Sequence, residues 1–144
     1  MGRSRVLAGF IVAGGCLAAV AGQQTYAAEK KEVYVSPRAD KKTLVDESLP
    51  GVEGQQIVID HYTFPPGWIG GKHYHTGPVY VYVLEGSFTI DEQGKERRTY
   101  KPGEVYREPI GTPMQARNVN ASEPLKILVV QIGRKGEPAM IKAD

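Results

Sequence analysis

Cysteine is nearly absent from this chain of 144 residues, which contains a single one, Cys16. An intramolecular disulfide is therefore excluded, and the fold must be stabilised by a hydrophobic core. A composition of 41% hydrophobic and 24% charged residues is sufficient to form such a core. The length fits one domain.

A large excess of one charge is also lacking. The chain has 18 Lys and Arg against 16 Asp and Glu, which gives a formal net charge of +2. Two of the basic residues, Arg3 and Arg5, lie in a segment that we expect to be removed, and the remainder is formally neutral. Nucleic-acid binding requires a strongly basic, clustered surface. We therefore expect no nucleic acid among the partners.

The first 28 residues have the pattern of a secretory signal peptide. Two arginines are followed by an uncharged apolar stretch over residues 6–21, and small residues precede the polar chain. Cleavage after residue 21 and cleavage after residue 27 both fit the pattern. The apolar stretch is shorter than the roughly 20 residues of a spanning helix, which favours removal over a permanent tether. We expect an exported protein, periplasmic or secreted, with no membrane span after signal cleavage.

Helical periodicity is missing as well, since no 3.6-residue apolar pattern persists along the chain. Short strand-like runs alternate instead with Pro- and Gly-rich turns, which is typical of an all-β sandwich or barrel. The runs cover residues 55–64, 79–84, 87–91, 97–100, 104–107, 114–118 and 125–132. We divide the mature chain into a polar N-terminal arm, residues 29–54, a barrel, residues 55–132, and a C-terminal tail, residues 133–144. The arm has two short strand-like pieces, residues 33–35 and 43–45.

One predicted strand has apolar residues on both faces. Val79, Val81 and Val83 share one face, and Tyr80 and Tyr82 share the other, because alternate side chains of a strand point in opposite directions. If the valines face the interior, the tyrosines need a second layer, which could be the N-terminal arm or a second subunit. We therefore expect a homodimer.

Histidine is scarce, with three in the chain, and two of them form the sequence His73-Tyr74-His75. Side chains two positions apart on a strand point to the same face, about 6–7 Å apart at the backbone. Both imidazoles could therefore bind one metal ion. An isolated H-x-H pair is a weak signal, but turn residues on both sides of this one strengthen it.

Two motifs in the barrel region resemble those of the cupin family. The first has the spacing G-x5-H-x-H-x3-V-x6-G and comprises Gly67, His73, His75, Val79 and Gly86. The second has the spacing G-x5-P-x-G-x2-M-x3-N and comprises Gly103, Pro109, Gly111, Met114 and Asn118. The resemblance covers residues 55–132 and implies a double-stranded β-helix, or jelly-roll, barrel of the small single-domain type.

The resemblance also implies a metal site, but two of its ligands are changed. In the cupin pattern, two His and a Glu of the first motif and a His of the second hold a divalent metal. His73 and His75 occupy the first two positions, whereas Val79 and Met114 replace the Glu and the last His. Two imidazoles without a carboxylate suit iron, manganese or zinc poorly, and the Met114 thioether would suit copper better. His61 could supply a third nitrogen if it faces the interior.

Three interpretations of the site are open at this point. In the first, the barrel binds a small molecule and no metal. In the second, His73 and His75 hold a metal completed by His61, Met114, water or substrate. In the third, both histidines are structural and hydrogen-bonded in the barrel wall. Met114 alone does not decide between them, because a buried methionine usually fills the core.

Further residues are expected to line the pocket near the two histidines. They are Trp68, Val79, Val81, Tyr106, Glu108, Met114 and Asn118. Glu108 and Tyr106 share one strand face. If that face is interior, Glu108 could act as a general base; otherwise it is a solvated strand residue, which is the interpretation we favour.

The sequence thus predicts an exported, small cupin-type protein whose barrel binds a small molecule, with a divalent metal or copper at His73 and His75 in the metal-bound case. The alternative is a metal-dependent oxygenase or isomerase that acts on a small organic substrate. Both interpretations use the same pocket, so the geometry around the two histidines decides how far each can be taken.

Overall fold

The computed structural model describes residues 31–144. The predicted signal peptide, residues 1–28, lies outside this range. Every regular element between residues 31 and 144 is a β-strand, and the all-β prediction is therefore confirmed. Within the same range no helix has the length and hydropathy to cross a membrane.

Ten strands follow one another along the described chain. They are β1 (Asp40–Ser48), β2 (Gln55–Phe64), β3 (His73–His75), β4 (Val79–Glu85), β5 (Phe88–Glu92), β6 (Arg98–Tyr100), β7 (Val105–Glu108), β8 (Met114–Arg117), β9 (Leu125–Arg134) and β10 (Met140–Lys142). They form two five-stranded sheets, in the orders β1-β2-β9-β4-β7 and β10-β3-β8-β5-β6. Neighbouring strands within each sheet pair antiparallel. From β2 onward the chain crosses between the sheets at almost every connection, which is the jelly-roll arrangement.

Strand β4 shows how the sequence pattern separates the two faces of a sheet. Val79, Val81 and Val83 are buried between the sheets, whereas Tyr80 and Tyr82 are each 40% exposed on the outer face. The arm does not cover these tyrosines, because β1 pairs with the edge of β2 instead. Within residues 31–144 the outer face of β4 therefore has no second layer.

The core lies between the two sheets and takes side chains from both. Its buried apolar residues are Tyr62, Phe64, Trp68, Val79, Val81, Val83, Phe88, Ile90, Tyr106, Met114, Ala116, Leu125, Ile127 and Val129. Full burial of a large apolar side chain contributes about 1.5–3 kcal/mol. The barrel is thus stabilised by apolar burial, as the scarcity of cysteine requires.

Gly86, in the turn after β4, shows why the first motif ends in glycine. Its φ angle is 81°, and a Cβ atom there would lie 2.7 Å from the carbonyl oxygen of Pro124. Any other residue would be strained in this conformation and would clash with the chain entering β9.

The arm and the tail contain more regular structure than the sequence indicated. β1 spans nine residues rather than a short piece, and β10 lies in the predicted tail and pairs with β3. β1 is an edge strand that is exposed on both faces, so its polar residues show no apolar alternation from which a strand could be predicted. β9 likewise extends to Arg134, past the predicted end of the barrel.

Residues 32–37, which we call the strap, cross the edge of the second sheet beside β10. Val33 forms an isolated bridge with Ile141, and the Tyr34 N–H donates a hydrogen bond to the Met140 carbonyl at 3.1 Å. Tyr34 is 7% exposed and is the one buried side chain between residues 31 and 39. The Lys142 N–H also donates to the Glu32 carbonyl at 2.8 Å, so the strap is held to β10 by a short ladder of two backbone hydrogen bonds.

Candidate metal centre

His73 and His75 point into the space between the sheets from the short strand β3. Both side chains are buried, and their ring centroids are 5.1 Å apart with the ring planes at 82°. β3 is fixed on its two sides by β10 and β8. The structure therefore brings the two histidines together inside the barrel, as the i, i+2 spacing predicts.

A third group, Glu108, joins the two histidines from the end of β7. Its carboxylate is buried, and its Oε2 atom lies against Nε2 of His75 as in an ion pair. One ligand atom from each of His73, His75 and Glu108 lies within 4.8 Å of the others. The interpretation of Glu108 as a solvated strand residue is therefore wrong, and so is the premise that the site lacks a carboxylate.

The register of β4 and β7 explains how a carboxylate reaches this place. Val79, which occupies the Glu position of the cupin pattern, is the direct cross-strand partner of Glu108. Directly paired residues in an antiparallel sheet project their side chains to the same face, with Cβ atoms about 4.5–5.5 Å apart. The carboxylate is thus supplied by the neighbouring strand. The shared face of Tyr106 and Glu108 was the one sequence signal for it.

Protonation of His73 is set by its surroundings. Its Nδ1 atom lies 3.1 Å from the Gly71 carbonyl oxygen, and because a carbonyl can only accept, Nδ1 carries the proton and Nε2 keeps its lone pair. Burial lowers the pKa of His73 below its usual 6.5, and repulsion from His75 lowers it further against the opposing effect of the Gly71 bond. His73 is therefore a neutral imidazole at neutral pH, which is the form that binds metal.

Several buried polar atoms of this cluster lack a hydrogen-bond partner. Nδ1 and Nε2 of His75 and Oε2 of Glu108 are buried and make no well-formed hydrogen bond in the described chain, although Nε2 and Oε2 touch each other. Buried polar groups are normally hydrogen-bonded, and each exception calls for an explanation. Neutral imidazole nitrogens and a carboxylate are metal-binding groups, so the residues present fit a divalent transition metal.

Gln131 is a further buried polar residue that the sequence analysis missed. It lies on β9 opposite Val79, and its Oε1 atom is buried without a hydrogen-bond partner among residues 31–144. Leu125, Ile127 and Val129 precede it at alternate, inward-facing positions of the same strand. Extending that alternation by two residues would have identified it.

The other two candidate ligands have different positions. His61 lies on β2 between Asp60 and Tyr62, which are buried, so its side chain points to the outer face of the sheet. It is therefore not a third nitrogen ligand, and that expectation is wrong. Met114 is the cross-strand partner of His73 on β8 and packs in the apolar core. It adjoins the site as a core residue.

The cavity beside the cluster is small, with a volume of about 40 Å³. Its lining consists of Ser36, Tyr62, Phe64, Trp68, His73, His75, Val81, Phe88, Glu108, Ala116, Ile127, Val129 and Met140. A water molecule needs roughly 10–15 Å³ of such space, whereas pockets for whole organic ligands measure roughly 300–1,000 Å³. This cavity has room for an ion with a few waters or for one functional group of a larger molecule.

Some of the predicted pocket residues line this cavity and others do not. Trp68, Val81 and Glu108 line the cavity, as expected. The other predicted lining residues, Val79, Tyr106, Met114 and Asn118, are buried but do not line it.

Asn118 and Tyr106 have structural partners instead. The Asn118 side-chain amide donates to the carbonyls of Pro65 and Glu123 at 3.1 and 2.9 Å and holds two loops together. The Tyr106 hydroxyl donates to Glu92 at 2.8 Å. Burial, together with this bond, raises the pKa of Tyr106, so it stays protonated.

The family comparison agrees with this geometry. The family model described as Cupin domain matches residues 60–131, which is half of the chain. The chain belongs to the cupin family. The resemblance in the two motifs is thereby confirmed, and with it the jelly-roll cupin fold.

Several known proteins are similar to this cupin. The uncharacterized protein MJ0764 of Methanocaldococcus jannaschii is 32% identical over 101 residues, which cover 70% of this chain and 84% of that protein. The DMSP lyase DddQ of Ruegeria pomeroyi has a TM-score of 0.60 at 23% identity, covering 74% of this chain and 52% of the lyase. The polyketide cyclase RemF of Streptomyces resistomycificus has a TM-score of 0.59 at 22% identity, covering 80% and 76%.

This chain therefore spans about half the length of the lyase. At 22% and 23% identity the two solved structures show the shared fold alone.

Proposed function

We propose that this cupin binds one divalent transition-metal ion through His73, His75 and Glu108, and with it a small organic molecule. The proposal is carried by the convergence of three buried ligand groups within 4.8 Å of one another. Two imidazoles and one carboxylate are the ligand set typical of non-haem Fe(II), and zinc also accepts them. Manganese is a third candidate. Copper is less favoured than these metals, because the expectation of copper depended on a site with a thioether ligand and no carboxylate.

The chain's own residues prepare this site in three ways. His73 presents Nε2, because its Nδ1 is bonded to the Gly71 carbonyl. Glu108 brings a carboxylate to the pair of imidazoles. The aromatic and aliphatic wall limits the water that reaches the ligands. A bound ion would supply a Lewis acid for an oxygen atom of the organic ligand.

A catalytic role as an oxygenase or isomerase is the second candidate function. Three protein ligands leave coordination positions free for a small molecule, as in catalytic rather than structural metal sites. The cavity of about 40 Å³ limits the substrate to one that inserts a single functional group while the rest stays outside.

Metal analysis of tag-free protein tests the proposal. The wild type should contain one metal ion per chain after micromolar supply, and His73→Ala and His75→Ala should lose it. His61→Ala is the matched control, because His61 lies on the outer face of β2 and should leave metal content unchanged. Metal-free wild-type protein with an intact fold after that supply would overturn the proposal.

We also propose that the protein forms a homodimer through the outer face of β4. Tyr80, Tyr82 and Val105 are exposed there, and Tyr82 pairs directly with Val105 of β7. Contiguous exposed aromatic and aliphatic side chains are typical of protein interfaces. Sedimentation should show a dimer that Tyr82→Glu converts to a monomer. A wild-type monomer at high micromolar concentration would contradict the dimer.

Export is the remaining part of the proposed function. It is supported by the basic, apolar and small-residue order of residues 1–28. The protein recovered from the periplasm or the medium should begin near residue 22 or residue 28, and mass spectrometry of the intact chain measures this. Recovery of the uncleaved chain in the cytoplasm would contradict export.

A further inference from the structure

Tyr34 of the strap lies flat on the ring of His73. The ring centroids are 4.5 Å apart and the planes differ by 2°. Gly71 links the same two side chains, because its N–H donates to the Tyr34 hydroxyl at 2.8 Å and its carbonyl accepts from His73 Nδ1 at 3.1 Å. The strap therefore contacts a candidate metal ligand by both stacking and a shared peptide group.

The paired glycines before β3 make this contact sterically feasible. A Cβ atom at Gly71 would lie 2.9 Å from the Tyr34 ring, and one at Gly70 would lie 2.7 Å from the Trp68 ring. Both distances are too short for a side chain. The local sequence Gly70-Gly71 is thus matched to the two aromatic rings that close the site.

The strap also forms part of the cavity wall. Ser36 lines the cavity together with Met140 of β10. The next strap residue, Pro37, accepts a hydrogen bond from Nε1 of the buried Trp68 at 2.6 Å. One side of the cavity is thus closed by the strap rather than by a barrel strand.

The strap is attached to β10 by two backbone hydrogen bonds, from the Tyr34 N–H to the Met140 carbonyl and from the Lys142 N–H to the Glu32 carbonyl, whereas β2 pairs with β9 over ten residues. Val33 and Val35 are 56% and 78% exposed, and Tyr34 between them is the single buried side chain. The ion pair of Glu32 with Lys142 is exposed on both sides, and such pairs add little stability. Segments with few buried contacts open locally while the rest of the domain stays folded.

We propose that Tyr34 is a positioning residue for His73, and that the strap must detach before an ion or small molecule reaches the His73, His75 and Glu108 cluster. The nature of the incoming ligand rests on the proposed function. The access of reagents to His73 does not, so it can be measured without any metal.

Carbethoxylation of histidines in the metal-free full chain tests this proposal. His61, on the outer face, serves as an internal reference that should react at the same rate in every variant. His73 should react slowly in the wild type and about tenfold faster in Tyr34→Leu, which removes the stack. Tyr34→Phe keeps the ring and should restore most of the protection. Mass spectrometry of each histidine peptide measures the rates.

Trp68 reports strap detachment independently, because it is the one tryptophan of the chain and its Nε1 bonds to the strap. Its emission should shift to longer wavelength in Tyr34→Leu and stay close to wild type in Tyr34→Phe. Equal His73 rates in wild type and Tyr34→Leu, with the Trp68 shift present and the circular dichroism spectrum intact, would overturn the proposal.

A reversible disulfide, which acts as a lock that holds the strap to β10, tests the proposal if Tyr34→Leu fails to fold. Val33 and Ile141 face each other in an antiparallel bridge and make no direct hydrogen bond with each other. In such a pair the Cα atoms lie about 4.5 Å apart. This spacing is within the range for a disulfide. Val33→Cys with Ile141→Cys, in a chain carrying Cys16→Ser, should slow His73 modification when oxidised and regain the wild-type rate when reduced. Equal rates in the two redox states would overturn the proposal.

The two proposals fail in different ways. Absence of bound metal in the wild type removes the proposed function and leaves the strap result unaffected. Insensitivity of the His73 modification rate to Tyr34→Leu or to the lock removes the strap proposal and leaves metal binding unaffected.

Discussion

Two glutamates are buried in the described chain, and their surroundings differ sharply. Glu92 has both oxygens paired, with Lys95 Nζ at 2.5 Å and the Tyr106 hydroxyl at 2.8 Å. Glu108 has one oxygen against His75 and no well-formed hydrogen bond to it. A carboxylate that is buried and fully paired contributes to the fold, whereas one that is buried and incompletely paired is available to a ligand.

The same contrast separates this site from the charged groove outside the second sheet. There Asp91 bonds to both Arg97 and Arg117, and Arg117 also donates to Gln115. These bonds hold the pKa of Asp91 below its usual value, the bond from Arg97 being the largest cause. Asp91, Arg97 and Arg117 in that groove are thus paired with one another, so the abundance of charged groups there is no indication of a site.

The largest difference between Glu108 and a fully paired carboxylate should appear in metal affinity. Glu108→Gln removes a direct carboxylate ligand and should weaken binding by more than the roughly 10–100-fold that loss of an outer partner of a ligand costs. Asp91→Asn, which removes a paired carboxylate outside the cavity, should leave affinity unchanged. Competition with a chelator of known affinity measures both. Equal losses in the two variants would show that general electrostatics and not coordination binds the metal.

A charge swap sharpens the same comparison. Val79 and Glu108 are direct cross-strand partners, so Val79→Glu combined with Glu108→Val returns the carboxylate to the position of the cupin pattern. This double variant should regain most of the affinity that Glu108→Val alone loses. Failure to regain any would contradict the view that the two positions place a carboxylate at the same point.

In the metal-free protein, the free energy of unfolding should depend more on Glu92 than on Glu108. Glu92→Gln should lower the free energy of unfolding by about 2 kcal/mol, because it weakens hydrogen bonds to a charged group that contribute roughly 1.5–3 kcal/mol. Glu108→Gln should lower it less, because Oε2 of Glu108 touches Nε2 of His75 without a well-formed hydrogen bond. Urea denaturation at neutral pH measures both. A comparable loss in Glu108→Gln would contradict the interpretation of Glu108 as a ligand that contributes less than Glu92 to the fold.

Much of the fold was predictable because local pattern and tertiary burial coincide. The alternation in β4 and the turn glycines define strands directly, and the seven predicted runs correspond to β2 and β4–β9. β10 and most of β1 were not predictable, since one has three residues and the other is exposed on both faces. Their pairing depends on contacts that local sequence does not encode.

The site was predictable in part for the same reason. His73 and His75 are two apart on one strand, so their convergence follows from local geometry. Glu108 reaches them through the register of β4 and β7, which the motif spacing does not contain. Tyr34 lies 39 positions before His73 in the chain and joins it through the β10 edge, so no motif could have revealed it.

The region around His73 and the region around Glu92 should lose stability in two different pH ranges. Burial lowers the pKa of His73 from 6.5, so below that pH the unfolded chain takes up a proton that the folded chain resists. The free energy of unfolding should therefore fall as pH falls from about 6.5 toward the folded pKa of His73. Urea midpoints across this range, in wild type and in His73→Gln, measure the effect.

The contribution of Glu92 to stability should be lost at a lower pH than that of His73. Burial alone would raise its pKa, but the bonds from Lys95 and Tyr106 outweigh burial and lower it from 4.5. Its stabilisation is thus present above about pH 4.5 and is lost as pH falls through the folded pKa. His73→Gln should remove the first decline and leave the second, and Glu92→Gln should do the reverse. If instead the free energy of unfolding fell in a single step that both variants reduced equally, the two regions would titrate together. That outcome would contradict the separate hydrogen-bond partners of His73 and Glu92.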